Sequence, residues 1–371
     1  MAEGQSACSR GGGGDRNVRM KRTLVALTIL AAALPLGCGG APAEPVTPPP
    51  AETAAVAPPA TPPEPTPEEK KKAEEEKKKA EAAKKLAADR AEMEAAAKAE
   101  AERFTPELKA EAKKLAETKY QTLKAALDAV LAGKHRKPGH ADRDVYRHPR
   151  ETLTFFGLKP TMTVIEYGPG EGWYTEILAP VLAARGKLMV TTTDPNGPPE
   201  ARSTFYGQRL KRFLDKSPEL FGKVETIAID SKGPKLGGGE KADMVLVIRA
   251  MHGMHRDKLL EGFLSEVHGA LKPGGVLGVV QHRAKPDANP DEAAKQGYLP
   301  EPFVIKTVEA AGFKLAEKSE VNANPKDTKD HPEGVWTLPP SLDLGDKDRA
   351  KYTEIGESDR MTLKFVKVPK K

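Results

Sequence analysis

Residues 164–180 read VIEYGPGEGWYTEILAP, with a carboxylate, Glu166, two positions before the first of three alternate glycines, Gly168, Gly170 and Gly172. A glycine-rich turn between an apolar run and a helical pattern lets backbone N–H groups come close to a ligand, since no side chain stands in the way. The spacing is not that of the dinucleotide fingerprint, whose third glycine would fall where Trp173 stands. Glu166 lies within an apolar run, where an unpaired carboxylate is costly, so it needs a partner. Two further stretches, VIRAMHGMH (247–255) and VVQHRA (279–284), carry histidines and arginines suited to proton transfer and anion binding. His252 and His255 are three apart, but no carboxylate cluster accompanies them, so no metal site is expected. The two cysteines, Cys8 and Cys38, both precede the folded region, which leaves it no thiol ligand, disulfide or cysteine nucleophile.

The elements that must position these groups alternate. Apolar runs at Thr163–Tyr167, Leu188–Thr193, Val224–Ile229, Met244–Ile248, Val276–Val280, Phe313–Glu320 and Met361–Val366 predict strands. Helical patterns fill Trp173–Ala184, Arg202–Leu214, Asp257–Leu271 and Phe303–Ala311. This alternation predicts an α/β fold, a mainly parallel sheet with helices on both faces, and a ligand beyond the carboxyl ends of its strands. The glycine loop follows the first strand directly, where that rule puts a ligand.

The acid-x-Gly-x-Gly-x-Gly spacing resembles motif I of class I S-adenosylmethionine-dependent methyltransferases. The resemblance extends in order over residues 145–367, through Asp194 ending MVTTTDP, Asp230 ending IAID, the turn LKPGGVL and two final β-like stretches. It implies a Rossmann-like, seven-stranded fold and S-adenosylmethionine as cofactor. The glycines would admit its amino-acid end and Glu166 would face its ammonium. Asp194 would accept from the ribose hydroxyls and Asp230 from the adenine amino group, although each is also a residue type that starts turns. Methyl transfer needs alignment, and a base where the acceptor must lose a proton. His252 and His282 are the candidates for that base, and Arg249 and Arg283 for holding an anionic acceptor. Residues 140–158 could fold over the cofactor, with Tyr146, Arg147 and His148 facing the site, and Trp336 and His331 could wall the acceptor pocket. GWYTEILAP, NANPKDTKDHPEGVWTLPPSL and ESDRMTLKFV resemble a subgroup of bacterial methyltransferases. No N/D-P-P-Y/F follows the fourth strand and no Pro-Cys dipeptide exists, which points away from adenine and cytosine methylation. The resulting expectation is a methyltransferase acting on a small molecule. The alternative is a non-catalytic envelope lipoprotein that uses the same fold as a ligand- or partner-binding module.

The rest of the 371 residues serve delivery. Residues 1–19 resemble an upstream extension, and 20–38 a secretory signal with a lipobox-like end at which Cys38 would be lipidated. A Pro/Ala-rich linker follows at 39–67, then a charged helical spacer at 68–104, about 55 Å long at ~1.5 Å per residue. An amphipathic helix at 105–133 and a methyltransferase domain at 134–371 complete the chain. Export to a membrane-anchored, periplasm-facing position is expected, with an inward-facing anchored form as the alternative. A formal charge of +6 with no basic stripe gives no sign of nucleic-acid binding.

Overall fold

The computed structural model describes residues 66–230 and 233–368. Each predicted apolar run forms a strand: β1 (Thr163–Tyr167), β2 (Lys187–Thr192), β3 (Glu225–Ala228), β4 (Ala242–Ile248), β5 (Leu271–His282), β6 (Phe313–Ser319) and β7 (Arg360–Lys367). They form one sheet in the order β3-β2-β1-β4-β5-β7-β6. The pairs from β3 to β5 are parallel, and β7 runs antiparallel to both β5 and β6. Succession reverses direction between β1 and β4, so the switch-point crevice opens at their carboxyl ends. The alternation of side chains along the strands divides the core. Val164, Leu246 and Val280 point into one buried cluster, and Ile165, Val245 and Val279 into the other. This is the Rossmann-like methyltransferase fold.

Three helices precede the sheet: α1 (Pro67–Arg103), α2 (Pro106–Glu117) and α3 (Leu123–Leu131). Thr66 caps α1 in a capping box with Glu69, and Thr105 caps α2, as its place before Pro106 predicts. The single helix expected over 105–133 is divided, because Tyr120 is buried in the core and Thr122 starts a new helix by accepting from the Ala125 N–H. Next come α4 (Asp144–Arg147) and α5 (Pro149–Phe156), whose Leu153 and Phe156 are fully buried. Within residues 140–158, α5 is therefore a packed part of the domain, while Val145 and Tyr146 of α4 are exposed.

Between the strands lie α6 (Thr175–Leu182), α7 (Arg202–Asp215), α8 (Pro218–Phe221), α9 (Met251–Arg256), α10 (Leu260–Ala270), α11 (Pro290–Lys295), α12 (Glu301–Ala310) and α13 (Arg349–Ile355). The Val164 face is covered by residues of α2, α3, α5, α6, α7 and α8, and the Ile165 face by α9, α10 and α12. Residues 320–359, between the last two strands, are ordered around Asp327. Its carboxylate accepts from the Tyr298 hydroxyl at 3.1 Å and the Asp359 N–H at 2.8 Å, and lies 2.9 Å from His331 Nε2. The upstream extension, the signal segment with Cys38 and most of the 39–67 linker lie outside the described residues. Among the described residues no helix is long and apolar enough to cross a membrane.

Candidate active site

The loop leaving β1 turns sharply at each of its glycines. Gly168, Gly170 and Gly172 have φ of 63°, 62° and 81°, a region that L side chains rarely adopt. A Cβ built on Gly168 or Gly170 meets nothing within 4 Å, so at these two positions the backbone faces open space. On Gly172 it would strike the Phe213 ring at 2.3 Å, so that glycine serves helix packing. The Gly168 N–H donates to Thr191 Oγ1 of β2 at 2.8 Å, which fixes the start of the loop.

Glu166 lies beneath this loop, buried on the Val164 face of β1. Thr175 Oγ1, in the first turn of α6, donates to its Oε2 at 2.7 Å. Burial nevertheless pushes the carboxyl pKa up to about 7. The loop thus pairs a buried acid of raised pKa with two open, left-handed glycines where backbone can be approached.

GWYTEILAP takes its meaning from tertiary contacts. Glu176, fully buried in α6, accepts from the Lys137 N–H at 3.0 Å and Arg136 Nε at 3.3 Å, and lies 2.8 Å from His140 Nδ1. Burial alone would raise its pKa, but the His140 hydrogen bond and charge hold it below the usual carboxylate range. Trp173 donates its indole N–H to the His140 carbonyl at 2.9 Å, and the Arg136 and Arg147 guanidinium groups lie 5.4 Å and 4.7 Å from its ring. Thr175 and Glu176 thus tie the glycine loop to Glu166 on one side and to the 135–144 segment on the other. Sequence reasoning missed both roles, although the stretch carrying them was part of the resemblance.

Asp194 and Asp230 each lie two residues past the end of their strand and are exposed. Asp194 Oδ1 accepts from the Asn196 N–H at 2.8 Å, an Asx turn on the carboxyl edge of β2. Asp230 pairs with Gly233 in an isolated bridge.

His252 and His282 come together across the ends of β4 and β5, their ring centroids 5.8 Å apart, with Trp336 6.0 Å from His252 and Tyr298 6.3 Å from His282. Gln281 Nε2 donates to the Gly297 carbonyl at 3.0 Å and leans on His252 Nδ1 at 3.3 Å. In that contact His252 Nδ1 can accept, which would leave its Nε2–H free to donate. His282 Nδ1 lies 2.5 Å from Ser358 Oγ, which can accept its proton and leave a bare Nε2. Burial lowers the His252 pKa to about 4 and that of His282 well below its ordinary value, so both rings are neutral near pH 7.

The arginines separate. Arg283 is held by Asp359 at 2.9 Å, Glu301 at 3.2 Å and Glu320 at 2.6 Å, and the Glu320 hydrogen bond leads the causes that raise its pKa. This places its guanidinium among the fold's own carboxylates. Arg249 ends β4 in the left-handed region, φ 59°, a strain of ~1–3 kcal/mol of the kind found at functional sites. Burial lowers its pKa to about 10. Tyr146 is exposed, and its carbonyl accepts from Arg360 Nη2 at 2.7 Å. Met93, Phe205, Arg209, Phe213 and the loop residue Glu171 line a cavity of about 290 Å³ between α1 and α7.

No family model matches the chain, and no curated protein is significantly similar to it. Solved structures do resemble it. A SAM-dependent methyltransferase from Aquifex aeolicus is 19% identical, with 62% of this chain and 94% of that chain covered, at a TM-score of 0.40. The [4+2]-cyclase SpnF is 15% identical over 60% of this chain and 81% of its own, at 0.42. The 1,6-didemethyltoxoflavin-N1-methyltransferase of Burkholderia thailandensis, solved with 1,6-didemethyltoxoflavin and S-adenosylhomocysteine bound, is 16% identical over 61% of this chain and 78% of its own, at 0.35.

Proposed function

We propose that the protein is an S-adenosylmethionine-dependent methyltransferase acting on a small molecule. The observation that carries this reading is the loop after β1, where two left-handed glycines face open space above a buried acid at the switch point. Glu166 would hold the cofactor ammonium, and the backbone at Gly168 and Gly170 its carboxylate. Asp194 would accept from the ribose and Asp230 from the adenine. When bound, the cofactor supplies an electrophilic methyl group on a sulfonium. The chain's own part is to align the acceptor and exclude water. His282 Nε2 would take a proton from the acceptor, while His252 donates through its Nε2–H and Trp336 walls the site. Lipidation at Cys38 and an anchored, periplasm-facing domain belong to the same reading.

The test is calorimetry with S-adenosylmethionine and S-adenosylhomocysteine. Binding near one per chain is expected. Gly170→Leu should abolish it while unfolding at nearly the same temperature, because the new side chain enters open space and costs only the ~1 kcal/mol of a left-handed residue. A folded wild-type protein that binds neither ligand would favour the non-catalytic module instead.

A further inference from the structure

Four arginines from separate parts of the chain converge on one carboxylate at the carboxyl ends of β4 and β5. Glu357 accepts from Arg143 Nε at 2.7 Å, from Arg147 Nε at 3.1 Å and from Arg360 Nη1 at 2.9 Å, while Arg249 Nη1 stands 3.8 Å away. The side chains of Arg147, Arg360 and Glu357 are only 2%, 4% and 4% exposed. Arg143 Nη2, Arg147 Nη1 and Arg360 Nε are buried with no hydrogen-bond partner.

The neighbouring groups do not restore the balance. Burial pushes the Tyr174 phenol up to about 12, which keeps it neutral, and the two histidines are neutral as well. Asp359, two residues along, is taken by Arg283 and Lys329. Buried charge without compensation costs several kcal/mol, and unpaired guanidinium N–H groups add to it. Such a cluster is completed by an anion, since a carboxylate or phosphate can take two parallel bonds from each guanidinium fork.

The cluster also adjoins the candidate site. The Arg147 guanidinium lies over the Trp173 ring at 4.7 Å, and Trp173 follows the last glycine of the loop. Arg249, with 27% of its side chain exposed, opens the cluster to solvent at the end of β4. We infer that the methyl acceptor is an anion whose carboxylate or phosphate group is held by Arg249 with Arg143, Arg147 and Arg360. The word acceptor rests on the methyltransferase reading; the anion site does not.

The experiment titrates the full chain at constant ionic strength with inorganic phosphate and with benzoate, against chloride, with and without S-adenosylhomocysteine. Calorimetry and thermal unfolding are the readouts. One of the two anions should bind saturably and raise the unfolding temperature where chloride does not, and the one that does separates a phosphate from a carboxylate. Arg249→Gln should weaken that binding roughly tenfold or more, as expected for a lost charge-assisted pair, and Arg249→Lys should recover only part of it, since an ammonium keeps the charge without the fork. No saturable response to either anion, or one that Arg249→Gln leaves unchanged, overturns the inference. Titration without S-adenosylhomocysteine separates failure of the anion site from failure of the methyltransferase reading.

Discussion

Glu166 is poised to titrate when its ligand arrives. With its pKa near 7, the carboxyl is about half protonated at neutral pH, whereas an ammonium beside it selects the ionised form. On the proposed reading, binding expels a proton at acid pH. Affinity for S-adenosylhomocysteine should fall about tenfold for each pH unit below about 7 and level off above it, as one pKa unit of linkage requires. Calorimetry in buffers of different ionisation enthalpy would count the protons released. Glu166→Gln should bind more weakly and lose the pH dependence, and a flat wild-type profile would show that the acid does not meet the cofactor. Glu166 could be singled out from sequence because an acid stood in an apolar run. Its partner Thr175 could not, since a threonine in the first turn of a helix has many local uses.

At the scale of elements, α1 differs most from its expectation. Its composition predicts a solvated spacer, and its first half is fully exposed. Yet Leu86 and Met93, seven residues apart and so on one face, pack with Phe205 of α7. Asp89, Glu94 and Glu100 pair with Arg202, Arg212 and Lys216. The two outer pairs are partly exposed and contribute ~0–1 kcal/mol each, whereas burying a Leu or Met side chain contributes about 1.5–3 kcal/mol, so the apolar contacts and the buried Glu100–Lys216 pair hold the docked half. Hydrogen exchange should find residues 67–84 little protected and 86–103 protected well above them. Met93→Ala should remove ~2 kcal/mol or more of that second protection. Uniform exchange along α1 would show that the helix does not dock. Two apolar residues among so many charges look incidental until the matching phenylalanine is found on a helix more than a hundred residues away.

For the molecule as a whole, burial of histidines sets the response to acid. His135, His252 and His282 all have folded pKa values below the ordinary 6.5, with desolvation the largest cause. A depressed folded pKa means that the unfolded chain takes up the proton first. The contribution of these groups is therefore complete above about 6.5 and is lost as pH falls through the folded values, near 4 for His252. Glu166, raised from 4.5 to about 7, acts with the opposite sign, since its contribution is present below 4.5 and is lost as pH rises through 7. Three groups act against one, so the unfolding temperature should drop between about pH 7 and about pH 4.5. Differential scanning calorimetry across that range checks it, and a stability maximum below pH 5 would contradict the assignment of neutral histidines.

The sequence by itself determined the seven strands and the glycine loop after the first of them, because strand periodicity and turn chemistry are local rules. It also put His252 and His282 just past the fourth and fifth strands, and the sheet then brought the two rings together. Only the tertiary structure decided which charges meet. Glu357 reaches Arg143 and Arg147 across more than two hundred residues, and Glu176 reaches His140 across 36. It surrounded Arg283 with Asp359, Glu301 and Glu320 and set Arg249 near Glu357, although the two arginines follow neighbouring strands and read alike in sequence. The physical reason is that a guanidinium pairs with whatever carboxylate the packed loops bring within reach, and no periodicity along the chain records that distance.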